Sequence, residues 1–219
     1  FGKELRLRQQ YFFVACSLHD IVRRHMVVHK NLDNFAEKVA IQLNDTHPAV
    51  GIPELMRILI DIHGLKWAQA WPLVKGTFGY TNHTLLPEAL ETWTGSLFER
   101  LLPRHLELIC RINDDFLEEV RAAYPEDEPR ARRMSIVTDY PERSVRMAYL
   151  ATVAGVKVNG VAALHSQLLA EKVLPDFSSY YPDKFTNVTN GVTPRRFLRL
   201  ANPALSSIIT DALGPGWVT

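Results

Sequence analysis

Long apolar runs, cysteine pairs and charge of one sign are all scarce in this sequence, and each scarcity removes a class of function. No uninterrupted apolar stretch approaches the roughly 20 residues needed to span a bilayer, so no membrane partner is expected. The N-terminus lacks the charged and apolar regions of a secretion signal, which makes the cytoplasm the default location. Net charge is only +1, from 25 basic and 24 acidic residues, so electrostatics gives no case for nucleic acid. The two cysteines, Cys16 and Cys110, have no CxxC or Cys/His spacing and read as small buried hydrophobes in a reducing compartment. HExxH, GxSxG, Walker and GxGxxG motifs are also missing, which argues against a metalloprotease, an α/β-hydrolase and a nucleotide-binding loop.

What is present is ordinary globular material: 47% hydrophobic and 22% charged residues in 219, sufficient for a sizeable core. The chain begins at Phe1 rather than Met and ends on Trp217-Val218-Thr219, so both ends are read as cut from something longer.

Periodicity supplies the elements. Leu7, Tyr11, Val14, Leu18, Ile21 and Val22 recur at helical spacing, predicting an amphipathic helix over about 4–25, with a polar loop over 26–37. Residues 38–43 form a short apolar run, expected as a buried strand delivering the polar loop Asn44-Asp45-Thr46-His47. Pro53 opens a helix that Gly64 closes, and Trp67 to Val74 forms another, strained by Pro72. A second strand over 78–82 runs into His83-Thr84. Helix is then expected over about 87–123, broken near Pro103, with Leu108, Ile112, Phe116 and Val120 as its buried stripe. Residues 144–174 read as mostly helical with a break at 156–160; 185–188 reads as a strand and 203–213 as the last helix. Strands alternating with helices predict a helix-rich α/β fold with a mainly parallel sheet, with a boundary at 188–194.

Polar residues gather at three expected strand ends. Asn44, Asp45, Thr46 and His47 form the first group. Tyr80, Asn82, His83 and Thr84 form the second, followed by Glu88 and Glu91 at i, i+3 on one expected helix face. Asn187, Asn190, Arg195 and Arg196 form the third. In an open α/β sheet, ligands bind beyond the carboxyl ends of strands, and these side chains have the directed donors and acceptors that sugar hydroxyls need. Taken singly, each residue also has a plain structural role: Asn44 and Asp45 as helix caps or an Asx turn, His47 and His83 as core histidines, Glu88 and Glu91 as a solvated face. Their joint placement favours a site. Asp45, His47 and Glu91 do not have metal-ligand spacing, and the separation of Asp45 from Glu88 or Glu91, which would define a glycosidase pair, is not encoded in their spacing.

The segments Gln42-Leu43-Asn44-Asp45-Thr46-His47-Pro48, Tyr80 to Trp93, Leu101-Leu102-Pro103-Arg104-His105, Val158 to Ser166 and Thr189 to Arg196 resemble, in order, the signature blocks of the α-glucan (glycogen, starch or maltodextrin) phosphorylases. The resemblance implies a two-domain GT-B-type glycosyltransferase built of Rossmann-like domains. Residues 1–188 would form the latter part of the N-terminal, glucan-side domain, and 189–219 the linker and start of a truncated cofactor domain. The implied reaction is retaining: inorganic phosphate cleaves an α-1,4-glucan to glucose 1-phosphate, with pyridoxal phosphate acting through its phosphate group. By resemblance His83 is catalytic at the transferred glucose. Asn190, Asp45, His47, Glu91, Tyr80 and Thr84 bind substrate or support it, and Phe197 stands near the cofactor where the family commonly has Trp. The cofactor lysine is expected beyond residue 219, so this chain alone is expected to be inactive and without covalently bound pyridoxal phosphate. Arg23-Arg24 resembles an effector-binding pair, but the following segment is short for that loop, which argues against nucleotide control. A homo-oligomer is expected. The alternative reading is a stand-alone, non-catalytic glucan-binding or interaction module. Preference between glycogen and maltodextrin is not written in these residues.

Overall fold

The computed structural model describes residues 1–139 and 141–218. They divide into two compact units, Phe1–Val188 and Thr189–Thr219.

The first unit is a helix-rich α/β body. Its opening helix α1 spans Gly2–His29 and buries Leu7, Val14, Leu18 and Val22. The expected helix is therefore correct in register but too short, because the periodic stripe continues to His25 beneath the chain turn at Lys30. Lys30 closes the helix in the left-handed conformation, φ 64°. Within the expected loop, Phe35–Lys38 forms a single helical turn, α2, anchored by buried Phe35. Cys16 is exposed on α1 and Cys110 partly buried, which corrects the reading of both as core residues: Cys16 falls outside the buried stripe.

Strand β1, Ile41–Asn44, leads to α3, Gly51–Arg57, whose residues 51–56 are all buried. A π-helical turn at Ile58–Ile62 extends it. Helix α4, Trp67–Thr77, carries Pro72 in its interior without ending there. Strand β2, Phe78–Thr81, follows at once and turns Phe78 and Tyr80 into the core.

The continuous helix expected over 87–102 does not form. A 3-10 turn at Pro87–Ala89 gives way to strand β3, Thr92–Thr94, and only then to α5, Gly95–Leu101. Glu88 and Glu91 thus share no helix face; Glu88 is exposed in the turn and Glu91 lies in the connection to β3. The break at Pro103 holds. Helix α6, Pro103–Ala123, starts there and buries Leu108, Ile112, Phe116 and Val120. Helix α7, Glu128–Met134, precedes strand β4, Val137–Thr138.

The stretch expected to be helical over 144–174 contains two strands: β5, Ser144–Arg146, and, in the supposed break, β6, Val158–Gly160. Helix α8, Met147–Ala154, lies between them; α9, Ala163–Leu168, and a π-helical turn at Leu169–Val173 follow. Helix α10, Pro175–Tyr180, and strand β7, Phe185–Asn187, complete the unit.

Four strands make one parallel sheet in the order β1-β2-β6-β7, with Leu43 opposite Tyr80 and Asn159 opposite both Thr81 and Thr186. Burial alternates along β1 and β2, where Leu43, Phe78 and Tyr80 enter the core, whereas β6 is buried throughout and β7 stays largely open. A separate antiparallel sheet, β3-β5-β4, pairs Trp93 with Val145 and Val137 with Val145.

The second unit has a π-helical segment at Pro194–Leu200, helix α11 at Pro203–Leu213 and a 3-10 turn at Pro215–Val218. Asn202 caps α11 by accepting the Leu205 N–H at 3.1 Å, and Gly214, φ 78°, ends it.

Candidate functional site

All four parallel strands end or nearly end in asparagine: Asn44 closes β1, Asn82 follows β2, Asn159 lies in β6 and Asn187 closes β7. The ladder continues past the strand ends. The Asp45 N–H donates to the Thr81 carbonyl at 2.9 Å, and the Asn82 N–H donates to the Asn159 carbonyl at 2.9 Å. The polar tips of β1, β2 and β6 are therefore locked side by side, as expected for the ligand edge of an open sheet.

Side chains repeat the pattern. The Thr81 hydroxyl donates to Asn159 Oδ1 at 2.8 Å and accepts from Gln42 Nε2 at 2.9 Å. His83 is exposed, and its Nε2 lies 2.5 Å from Asn44 Oδ1. Because that oxygen is an acceptor, Nε2 is the nitrogen that donates. Tyr80 is fully buried one residue inside β2, and its hydroxyl oxygen accepts from Asn82 Nδ2 at 3.0 Å. Burial pushes the Tyr80 phenol far above its usual range, so it stays protonated and supports Asn82 from below. Thr84 is half-buried and its hydroxyl accepts the Leu86 N–H at 3.4 Å, holding the loop after His83.

Asp45 adopts φ 63°, one of two non-glycine residues with positive φ among those described. Its carboxylate accepts the Thr46 N–H at 2.7 Å, the short local bond that lets Asp tolerate this conformation. Thr46 in turn donates its hydroxyl to Glu91 Oε1 at 3.3 Å, so one threonine joins the Asp45 and Glu91 carboxylates. His47 is exposed beside them.

A Cβ on Gly160 would collide with His165 and Ser166, so its absence lets α9 crowd onto the end of β6. His165 Nδ1 accepts the Val161 N–H at 3.3 Å, while its Nε2 is buried without a hydrogen-bond partner. Burial and the nearby His83 hold its imidazole below the usual range, so it is neutral at pH 7. Ser166 donates to Asn187 Oδ1 at 2.8 Å, tying α9 to β7.

Residues 1–219 match the family model for carbohydrate phosphorylase throughout. The chain belongs to the carbohydrate phosphorylase family. It is 56% identical over 217 residues to a glycogen phosphorylase from Synechocystis sp., covering 99% of this chain and 26% of that protein. It is 51% identical over 216 residues to glycogen phosphorylase from Haemophilus influenzae, covering 99% and 26%. Against the liver form of Homo sapiens, identity is 51% over 225 residues, covering 99% and 27%. The chain thus spans about a quarter of the length of the curated relatives it matches.

The structure brings Asp45, Thr46, Tyr80, Asn82, His83 and Glu91 of this phosphorylase-family chain to one edge of the parallel sheet, linked by the bonds above. Asn190 and Phe197 belong to the second unit, where both are exposed. There Arg195 donates to the Val218 carbonyl at 2.8 Å. Arg23 and Arg24 are exposed on α1, both paired with Asp20.

Gln10 and Arg6 were missed from the sequence. From α1 they reach Glu91, with Gln10 Nε2 at 3.0 Å and Arg6 Nε at 3.5 Å from Oε2. No local pattern connects residues 81 positions apart. Asn159 and His165 did leave a signal, an asparagine recurring at each strand end and a glycine immediately before a tight strand-to-helix turn.

Proposed function

We propose that this chain is the glucose-facing part of an α-1,4-glucan phosphorylase, which uses inorganic phosphate to release glucose 1-phosphate from the end of a glucan with retention of configuration. The observation that carries the reading is the convergence of Asp45, His83 and Glu91 at the carboxyl edge of the parallel sheet, in a chain whose relatives are named glycogen phosphorylases. Within the longer enzyme the fold is of the two-domain GT-B type, with residues 1–188 on the glucan side and residues 189–219 beginning the other domain.

His83 is the residue in contact with the transferred glucose. Its Nε2–H is engaged by Asn44, so the ring is held and Nδ1 is left facing the sugar. The main-chain carbonyl of the same loop supplies a fixed dipole for positive charge developing at the anomeric carbon. A fixed dipole costs no reorganisation during the reaction. Asp45, His47 and Glu91 line the rest of this sugar-facing edge, and Asn190 is assigned to binding a sugar hydroxyl in the complete enzyme. Tyr80 and Thr84 hold this loop from behind.

Pyridoxal phosphate is the proposed cofactor of the longer enzyme, with Phe197 as its aromatic neighbour. The residues gathered at the sheet edge do not fit a covalent site for it. Lys157 and Lys184 precede β6 and β7 and so lie at the opposite, amino ends of those strands. Lys157 is bonded to the Asp183 carbonyl, and Lys184 to the carbonyls of Thr152 and Val153. We assign the covalent lysine to another part of the longer enzyme and expect the 219-residue segment alone to be inactive. The enzyme is assigned to the cytoplasm and to a homo-oligomer.

In the complete enzyme, His83→Ala should lower glucose 1-phosphate release roughly 100-fold or more. Turnover equal to the parent's would overturn the role given to His83. The isolated segment, supplied with maltodextrin, phosphate and pyridoxal phosphate, should release no glucose 1-phosphate; release would refute the division of the site.

A further inference from the structure

Glu91 belongs to neither helix nor strand. It lies between the turn at Pro87–Ala89 and β3, and its main-chain carbonyl accepts the Met147 N–H at 3.1 Å. That bond fixes the backbone but not the direction of the side chain. The carboxylate, 13% exposed, is aimed by three donors: Thr46 from the β1 loop, and Arg6 and Gln10, one turn apart on α1.

The three differ in what they can do. Arg6 is half exposed and its Nε stands 3.5 Å away, so water weakens its hold. Thr46 donates at 3.3 Å. Gln10 donates at 3.0 Å, the shortest of the three, and is neutral. Its amide orientation is dictated by charge, since a half-turn would set its oxygen against a carboxylate. In the orientation required, Gln10 Oε1 is buried and has no hydrogen-bond partner. A buried acceptor left unpaired is disfavoured, and a side chain free to move would turn out to water. The bond to Glu91 holds it in place.

We propose that Gln10 is a positioning residue for Glu91: from α1 it orients the carboxylate toward the sugar-binding edge without neutralising it. A lysine or arginine here would compete with sugar hydroxyls for the carboxylate, and an acid would repel it. Arg6, half exposed and 3.5 Å away, already supplies one cation to Glu91 Oε2, and glutamine adds direction without a second charge. The inference rests on the reading of Glu91 as a sugar-facing residue, so the test separates the two.

In the complete enzyme, Gln10→Leu should raise KM for glucan roughly five-fold, with kcat and the thermal midpoint unchanged. Placed on a Glu91→Gln background, the same substitution should add nothing, because its only route to the sugar has been removed. Gln10→Glu would set two carboxylates about 3 Å apart. Its KM should worsen as pH rises and recover at lower pH, where the pair shares a proton; a residue needed only for packing produces no such profile. If Glu91→Gln raises KM while Gln10→Leu leaves it alone, the positioning role fails and the sugar-facing reading survives. An equal Gln10→Leu effect with and without Glu91 also overturns the positioning role. If Glu91→Gln itself leaves KM unchanged, the sugar-facing reading fails first.

Discussion

Two glutamates in this chain face α1 with opposite consequences. Glu54, on α3, is wholly buried and met by a bidentate Arg57 at 2.8 and 2.9 Å and by His105 at 2.6 Å from α6. Glu91 is partly open and met mainly by neutral donors. A sealed carboxylate survives only when its charge is compensated by geometry that leaves nothing over for a ligand. The Glu91 carboxylate, held by an amide, a hydroxyl and the half-exposed Arg6, is less fully compensated, which is what the proposed sugar-facing role requires. The difference teaches that partner type and access, more than burial alone, separate architecture from site.

The largest effect should come from breaking the sealed cluster. Glu54→Ala leaves Arg57 and His105 without their anion and should cost the fold roughly 3–5 kcal/mol in urea denaturation. A loss below about 1 kcal/mol would put Glu54 in the class of ordinary surface pairs and dissolve the comparison.

Acid should report the same cluster. Burial pushes the Glu54 carboxyl up, but Arg57 and His105 outweigh this and hold it at about 2, against a usual 4.5. A depressed carboxylate contributes stability that is present in full above about pH 4.5 and is lost as pH falls toward 2. The parent's stability should therefore fall across that window more steeply than that of Glu54→Gln; parallel slopes would show that Glu54 is not the group responsible.

Glu91→Gln should do the reverse of Glu54→Ala. It should leave denaturation nearly unchanged and raise KM for glucan about ten-fold, or about 1.4 kcal/mol. A fall in stability with unaltered kinetics would make Glu91 a second structural acid.

The smallest effect concerns backbone alone. Asp45 holds φ 63°, so Asp45→Gly should be more stable than Asp45→Ala by about 1 kcal/mol. Both should lose activity, since both lack the carboxylate. Equal stability of the two would remove conformational cost from the account of this loop.

Legibility followed the range of the determining interactions. The α1 stripe, the Pro103 break and the α6 stripe were readable because helical periodicity is local, a matter of residues three and four apart. The strand ends of β1 and β2 were readable because a short apolar run gives way to polar residues. The sheet β3-β5-β4 was not: its strands are three, three and two residues long, too short to show alternation, and Thr92 finds Arg146 only across more than fifty intervening positions. Strand β6 passed as a helix break because Val158, Asn159 and Gly160 are all buried and leave no period-two pattern.

By itself the sequence determined the family blocks, the α/β class, most helices and the polar strand ends, because each is encoded in consecutive residues. Only the tertiary structure decided which polar ends meet, that Glu88 and Glu91 part company, and that Gln10 reaches Glu91 while Arg57 and His105 close on Glu54. Hydrogen-bond partners of buried or half-buried carboxylates are chosen by packing between distant segments, and packing has no period along the chain.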